Sequence, residues 1–67
     1  MDTRLKGWAE NHKWLPEYAG YTTKDLAAYL GVTTRTIQRW LKGIGKPKEA
    51  QLSRIEQFVK DLEQKNT

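Results

Sequence analysis

The 67-residue chain contains no cysteine and a single histidine, His12. Disulfide bonds are therefore excluded, and a structural zinc site, which is built mostly from cysteine and histidine, is not expected. Neither a metal, a cofactor nor a small-molecule ligand is expected. No apolar run approaches the roughly 20 residues of a membrane span, and the N-terminus lacks the apolar core of a secretory signal. We therefore expect a cytoplasmic protein that does not enter a membrane.

Catalytic constellations are missing as well. His12 has Glu10 and Glu17 near it in sequence, but one histidine among acidic surface residues does not make a catalytic site. The chain offers no Ser-His-Asp set that could assemble and no phosphate-binding loop. The sequence predicts that the protein is not an enzyme and has no catalytic residues.

Positive charge is instead concentrated in one segment. Between Leu26 and Lys48 there is no Asp or Glu, although the chain contains eight of them. Because the formal net charge of the chain is +4, the residues outside this segment have a net charge of −1. A local excess of this kind attracts a phosphate backbone. The five basic residues of the segment are Arg35, Arg39, Lys42, Lys46 and Lys48.

Apolar residues recur at helical spacing along the chain, and strand-like alternation is absent. The sequence predicts one compact all-α domain over residues 1–67, with four or five helices and no sheet. The first helix is expected to begin at Asp2 or Thr3 and to stop before Pro16, which disfavours helix at the preceding residue. Gly20 is expected to be the most flexible point of the following connector.

Residues 22–42 are predicted to form a central helix-turn-helix. Two closely crossing helices need a small residue at their contact, a glycine in the turn and a branched apolar residue in the second helix. Ala27, Gly31 and Ile37 meet these needs, and Thr33 is the expected N-cap of the second helix. An ordinary helical hairpin without DNA contacts is the alternative interpretation.

A last amphipathic helix is predicted over about 47–64, with Pro47 in its first turn. Its apolar stripe is longer than a three-helix core should need. We therefore expect this face to be the first candidate for a dimer interface. The stripe consists of Leu52, Ile55, Phe58, Val59 and Leu62.

The segment TTKDLAAYLGVTTRTIQRWLKGIGKP, residues 22–47, resembles the Cro and phage-repressor superfamily of helix-turn-helix domains. The resemblance implies sequence-specific binding of double-stranded DNA through a recognition helix in the major groove. It further implies a small transcriptional regulator of bacterial, phage or plasmid type, such as a repressor. In such proteins a homodimer binds a palindrome whose half-sites lie about one DNA turn apart.

The resemblance also assigns roles to individual residues. The first residues of the recognition helix, Thr34 and Arg35, would reach base edges in the major groove, with Gln38 and Arg39 one turn later. Arginine is suited to guanine, and glutamine to adenine. The phosphate contacts would come from the start of the preceding helix, the recognition-helix cap and the following loop. These residues are Thr22, Thr23, Lys24, Thr33, Lys42, Lys46 and Lys48.

Two other functions remain open at this stage. One is a DNA-binding accessory subunit, similar to an excisionase or a small terminase subunit, that works through architecture or partner recruitment. The other is a protein-binding helical module that does not touch DNA. Its surface would be formed by aromatic residues of the connector WLPEYAGY, in particular Trp14 and Tyr18, if they are exposed.

Overall fold

The computed structural model describes residues 1–65, and four helices account for most of them: α1 (Thr3–Trp14), α2 (Thr23–Leu30), α3 (Thr34–Leu41) and α4 (Glu49–Lys65). No strand occurs within this described part of the chain. The prediction of an all-α domain with a helix-turn-helix and no sheet is confirmed. The last two residues of the predicted domain, 66 and 67, lie outside the described residues.

Side-chain caps begin the first three helices, and those at Asp2 and Thr33 are the ones that the sequence analysis predicts. The carboxylate of Asp2 accepts a hydrogen bond from the backbone N–H of Arg4 at 2.9 Å. The hydroxyl of Thr22 accepts from the N–H of Asp25 at 3.0 Å, and that of Thr33 accepts from Thr36 at 3.3 Å. Each cap satisfies an N–H group that has no partner within the helix, which explains why the helices begin where they do.

The fourth helix begins at Glu49, two residues later than predicted, and Pro47 lies before it rather than in its first turn. The amide oxygen of Gln51 accepts a hydrogen bond from the backbone N–H of Lys48 at 2.7 Å. This is the reciprocal bond of a capping box, and it makes Lys48 the residue that precedes the first helical turn.

One hydrophobic core joins the four helices. Trp8 of α1, Leu26 of α2, Ile37 of α3 and Ile55 of α4 are among its fully buried side chains. The helix α1 packs mainly against α4, while α2 packs against both α3 and α4. The recognition-helix candidate α3 is therefore held chiefly by α2, and its opposite face is left open.

The connector between α1 and α2 is anchored at Gly20, and the expectation that Gly20 is its most flexible point is wrong. Gly20 is buried, with a φ of 93° that favours glycine. Its carbonyl accepts a hydrogen bond from the Trp8 indole at 3.0 Å, and its N–H donates to Asp25 at 2.7 Å. The carbonyl of Tyr21 is bonded to His12 Nδ1 at 2.7 Å.

The apolar stripe of α4 is used largely within the monomer. Phe58 stacks on Tyr29 of α2 with ring centroids 4.4 Å apart, and Leu62 lies against Gly20. Val59 is also half-buried against the core. The stripe is longer than a three-helix core needs because it covers the connector as well. From the sequence alone, the length of the stripe suggests a dimer interface. Because the stripe covers the connector, its length is not evidence for such an interface.

Candidate nucleic-acid interface

The turn between α2 and α3 fixes which face of α3 is exposed. Gly31 ends α2 in the left-handed conformation, with φ 74° and ψ 31°, where a Cβ is disfavoured. The N–H of Val32 then donates to the carbonyl of Ala27 at 3.0 Å. Ala27 and Ile37 are both buried, as the helix-crossing requirement predicts. Burial of Ile37 and Trp40, with Leu41 half-buried against the core, leaves the opposite side of α3 turned outward.

The outer face of α3 presents the residues that the sequence predicted as base readers. Thr34, Arg35, Gln38 and Arg39 are all exposed. Arg35, Gln38 and Arg39 line one shallow concavity together with Lys42 and Ile44. The structure thus brings three of the four predicted base readers together with one predicted phosphate contact. Thr34 lies at the N-terminal end of the same helix.

The cations of this face are free of carboxylates. Within residues 1–65 every salt bridge uses a cation of α1 or α4: Arg4 with Asp2 and Glu49, Lys6 with Glu10, and Lys60 with Glu56. Arg35, Arg39, Lys42, Lys46 and Lys48 form none of these pairs. Because no carboxylate among the described residues neutralises them, their charge and hydrogen-bond donors stay available to an external anion.

The loop after α3 is joined to the end of the helix by backbone hydrogen bonds. The N–H of Ile44 donates to the carbonyl of Arg39 at 2.8 Å, and the N–H of Gly43 donates to that of Trp40 at 3.0 Å. This pair of bonds is a Schellman motif, and Gly43 has the positive φ of 80° that it requires. A second shallow concavity here is lined by residues of α3 and the loop, namely Thr36, Arg39, Trp40, Ile44, Gly45 and Lys46.

The predicted phosphate contacts divide into two groups. Lys42 and Lys46 lie beside α3, in the two concavities, and Lys48 follows them as an exposed residue with its backbone N–H bonded to Gln51. Thr33, the cap of α3, is also exposed. The other group lies at the start of α2 and does not line either concavity: Thr22, Thr23 and Lys24.

The start of α2 can still donate to an anion. The oxygen of the Thr22 hydroxyl is occupied as an acceptor by the N–H of Asp25, so its own proton remains available. Asp25 lies in the first turn, where its charge would repel a phosphate. Its carboxylate accepts a hydrogen bond from the N–H of Gly20 at 2.7 Å, so one of its oxygens already has a partner within the protein.

Sequence reasoning missed Ile44 as a residue of this surface. Its side chain is 51% exposed and lines both concavities. The signal in the sequence was one large apolar residue between two glycines in a basic loop, GIGK. The sequence alone does not say whether such a residue points toward the core or toward solvent.

A second exposed surface lies on the connector. Trp14 and Tyr18 are 77% and 56% exposed, and Leu15 between them is exposed as well. The ammonium of Lys13 lies 5.6 Å from the centre of the Trp14 ring. These side chains, called the connector patch below, are exposed at the C-terminal end of α1 and just after it, and none of them lines either concavity beside α3.

Two further properties concern residues 1–65 as a whole. Their His, Asp and Glu side chains form no group of three that could hold a metal ion. None of the helices they form combines the length and the apolar character needed to span a bilayer.

Comparison with known proteins identifies the segment that contains this face. A protein-family model described as helix-turn-helix matches residues 19–60. The match covers α2, the turn, α3 and most of α4, and it leaves α1 outside. No curated protein matches the chain, and no solved structure does.

Proposed function

The chain belongs to the helix-turn-helix family of the Cro and phage-repressor superfamily, and we propose that it binds double-stranded DNA sequence-specifically by inserting α3 into the major groove. Helix-turn-helix proteins of this kind are DNA-binding and typically non-enzymatic. In this fold the second helix of the motif reads base edges, while the first helix crosses the backbone.

The observation that supports this proposal best is the unpaired outer face of α3. Arg35, Gln38 and Arg39 line one concavity, they are exposed, and no carboxylate of residues 1–65 pairs with the two arginines. A surface that only keeps the protein dispersed in water gains nothing from placing two unpaired arginines beside each other on one helix. A surface that binds phosphates and base edges does, because every phosphate neutralised releases counterions.

The proposed roles follow from position on α3. Thr34 and Arg35 stand in its first turn and would reach deepest into the groove. Gln38 and Arg39 follow one turn later. Arg35 and Arg39 can each donate two parallel hydrogen bonds to guanine, and Gln38 can pair with adenine through one donor and one acceptor.

The phosphate contacts would flank the groove on both sides. On one side, the hydroxyls of Thr22 and Thr23 and the ammonium of Lys24 are placed at the start of α2, with Thr33 at the cap of α3. On the other side, Lys42, Lys46 and Lys48 follow α3. Contacts of this type set the orientation on the duplex but read no sequence.

We further propose that the protein acts as a homodimer on a palindrome, because a single domain of this size reaches few phosphates. Half-sites would be about 34 Å apart, one turn of DNA. A regulator of this size would repress by occluding a promoter, and it would act in the cytoplasm of a bacterium, on a chromosomal, phage or plasmid site. An accessory role of the excisionase or terminase type would use the same α3 face on a site without dimer symmetry.

Selection from random-sequence duplexes tests the proposed function directly. The purified protein is incubated with the pool at two salt concentrations, and bound duplexes are sequenced. A palindromic consensus and an affinity that falls steeply with salt are expected. A consensus without symmetry would favour the accessory role. If no sequence is enriched and the affinity for DNA does not change with salt concentration, the proposal that the protein binds DNA is wrong.

The connector patch is the observation that favours the remaining alternative, a helical module that binds another protein. Trp14, Leu15 and Tyr18 are exposed together, outside the α3 face. A variant in which Trp14 and Tyr18 are replaced by serine separates the two functions. If the protein is a DNA-binding module, the variant keeps its affinity for the selected duplex. Loss of DNA affinity in a folded variant would place the patch in the DNA-binding surface.

A further inference from the structure

Ile44 is an apolar side chain in the middle of a cationic surface. The other large apolar residues that are exposed within residues 1–65 belong to the N-terminus or the connector, not to the α3 face. Ile44 stands between the two concavities and forms a wall of each, next to Arg39. Any ligand that covers the face of α3 must therefore meet an isoleucine as well as guanidinium and ammonium groups.

The backbone at Ile44 is held firmly in place. Its N–H donates to the carbonyl of Arg39 at 2.8 Å, and glycines with φ of 80° stand on both sides of it. The position of its side chain relative to α3 is thus set by the Schellman motif. This motif uses only the backbone of Ile44, so it does not require an isoleucine side chain.

The hydrophobic core does not use the side chain either. In a Schellman motif the residue at this position commonly packs on an apolar residue five positions earlier. That position is occupied here by Arg39, an exposed cation. Ile44 is also absent from the side chains that form or pack against the core. A large apolar group held outside the core, between cations, is placed so that a ligand bound to the face of α3 would cover it.

DNA offers one apolar group in the major groove, the 5-methyl group of thymine. We propose that Ile44 reads a thymine methyl group at the end of the site nearest Arg39. This assignment rests on the proposed function, because it requires α3 to lie in the major groove. The deoxyribose rings are a second apolar surface of DNA, but contact with them would occur on any sequence.

The test uses two random duplex pools, one containing thymine and one containing uracil in its place. Uracil pairs like thymine and lacks only the methyl group. The wild type, Ile44→Ala and Ile44→Val are selected against each pool. The matched control is Leu15→Ala, which shortens an exposed apolar side chain on the connector. Melting curves confirm that each variant is folded.

The wild type should enrich thymine at one position of its consensus, by about fourfold, which corresponds to burial of roughly one methyl-sized group. That preference should vanish in the uracil pool, while the rest of the consensus stays. Ile44→Ala should lose the same preference in the thymine pool, and Ile44→Val and Leu15→Ala should retain it.

Four results would overturn the assignment. An unchanged thymine preference in Ile44→Ala would remove the side chain from base reading. Equal weakening of Ile44→Ala on both pools, with the same consensus as wild type, would place Ile44 on deoxyribose. If the wild type enriches no sequence in either pool, the proposed function itself is refuted. If it enriches a consensus without a thymine preference, only the assignment of Ile44 is refuted.

Discussion

At the scale of single residues, the role of an arginine depends on whether its side chain has a partner inside the protein. Arg4 and Arg35 are both arginines near a helix start. Arg4 donates to Glu49 at 2.7 Å and to Asp2 at 3.1 Å, whereas Arg35 has no such partner in the part of the chain that the structure describes. An arginine that is bonded internally acts on stability. An arginine left with its five donors free is available for recognition.

Arg35 provides the prediction at this scale. Replacement by alanine should cost roughly 1–3 kcal/mol of binding free energy on the selected duplex and much less on a scrambled one. Arg35→Lys should be almost as harmful to discrimination, because an ammonium keeps the charge but not the two parallel donors. The measurement is the affinity of each variant for both duplexes at one salt concentration.

The matched control for Arg35 is Lys42→Ala, one charge removed from the same concavity. It should weaken binding to both duplexes to a similar extent, as expected for a phosphate contact. If the Arg35 variants also lose equally on both duplexes, Arg35 contacts phosphate, and base reading passes to Thr34, Gln38 and Arg39.

At the scale of elements, the connector determines how α1, α2 and α4 fit together. Its backbone passes close to α4 at Gly20, where a Cβ would overlap the side chain of Leu62. The same residue accepts a hydrogen bond from Trp8 and donates one to Asp25. Gly20 therefore joins three helices at one point, and its lack of a side chain is what allows the approach.

Gly20→Ala should lower the free energy of unfolding by about 1–3 kcal/mol, mainly from the positive φ and to a smaller extent from the overlap with the end of the Leu62 side chain, which can shift. Gly7→Ala is the control, because Gly7 lies inside α1 with no heavy atom within 4 Å of an added Cβ. It should raise stability by about 0.5–1 kcal/mol. Chemical denaturation of both variants gives the two values.

A third variant separates the two causes at Gly20. In a Leu62→Ala background the overlap is relieved, so Gly20→Ala should cost less there than in the wild type, and the remainder reports the positive φ. If Gly20→Ala, like Gly7→Ala, does not lower the free energy of unfolding, the conclusion that Gly20 anchors the connector is wrong.

At the scale of the whole molecule, positive charge is concentrated in α3 and the loop after it, because the segment from Leu26 to Lys48 holds five basic residues and no acidic one, while the rest of the chain has a net charge of −1. Within residues 1–65, the cations that form salt bridges belong to α1 and α4, and the unpaired cations of α3 and its loop lie together. Because of this difference, a phosphate backbone attracts the face of α3 more strongly than the rest of the surface, and it orients the protein as the two approach. The difference predicts that a lysine contributes to DNA binding according to its position in the molecule and not by its charge alone.

Lys46→Ala and Lys60→Ala test that prediction, since each removes one exposed lysine charge. Lys46→Ala should weaken binding to all duplexes and reduce the slope of log affinity against log salt by about 0.9, the value for one phosphate. Lys60, on α4 and paired with Glu56 at 3.1 Å, should leave the slope nearly unchanged. Equal slopes for the two variants would mean that Lys46 contacts no phosphate.

The salt bridge between Arg4, at the start of α1, and Glu49, at the start of α4, makes the stability of the fold depend on pH in the acid range. Hydrogen bonds from Arg4 hold the pKa of Glu49 below its ordinary value of 4.5, and they lower the pKa of Asp2 in the same way. A carboxylate with a lowered pKa stabilises the folded state above its ordinary value, and this contribution is lost as pH falls through the folded-state pKa. Because Glu49 is exposed, its contribution is small.

Glu49→Gln should therefore lower the melting temperature slightly at neutral pH. The difference from wild type should shrink as the pH falls below about 4.5 and disappear once Glu49 is protonated in the folded state. Glu17→Gln, which removes an acid without a salt bridge in residues 1–65, is the control for the loss of one negative charge. A difference that stays constant down to strongly acid pH would mean that Glu49 acts through packing and not through its charge.

The sequence by itself determined the parts of this protein that depend on short-range patterns. Helical spacing, the caps Asp2, Thr22 and Thr33 and the left-handed turn at Gly31 involve residues within a few positions of one another, so they could be predicted. The outward placement of Arg35 and Arg39 followed from the same periodicity, because burying Ile37 and Trp40 leaves them no other direction. The family resemblance of residues 22–47 rests on these same local features.

Only the tertiary structure decided the features that depend on how the helices pack. The anchoring of Gly20 by Trp8 and Leu62, and the pairing of Arg4 with Glu49, join residues that are far apart in the chain. The use of the α4 stripe to cover the connector, and the exposure of Ile44 beside Arg39, are of the same kind. Local preferences do not encode such contacts, because whether an apolar or charged side chain is covered depends on which distant surface the folded chain brings over it.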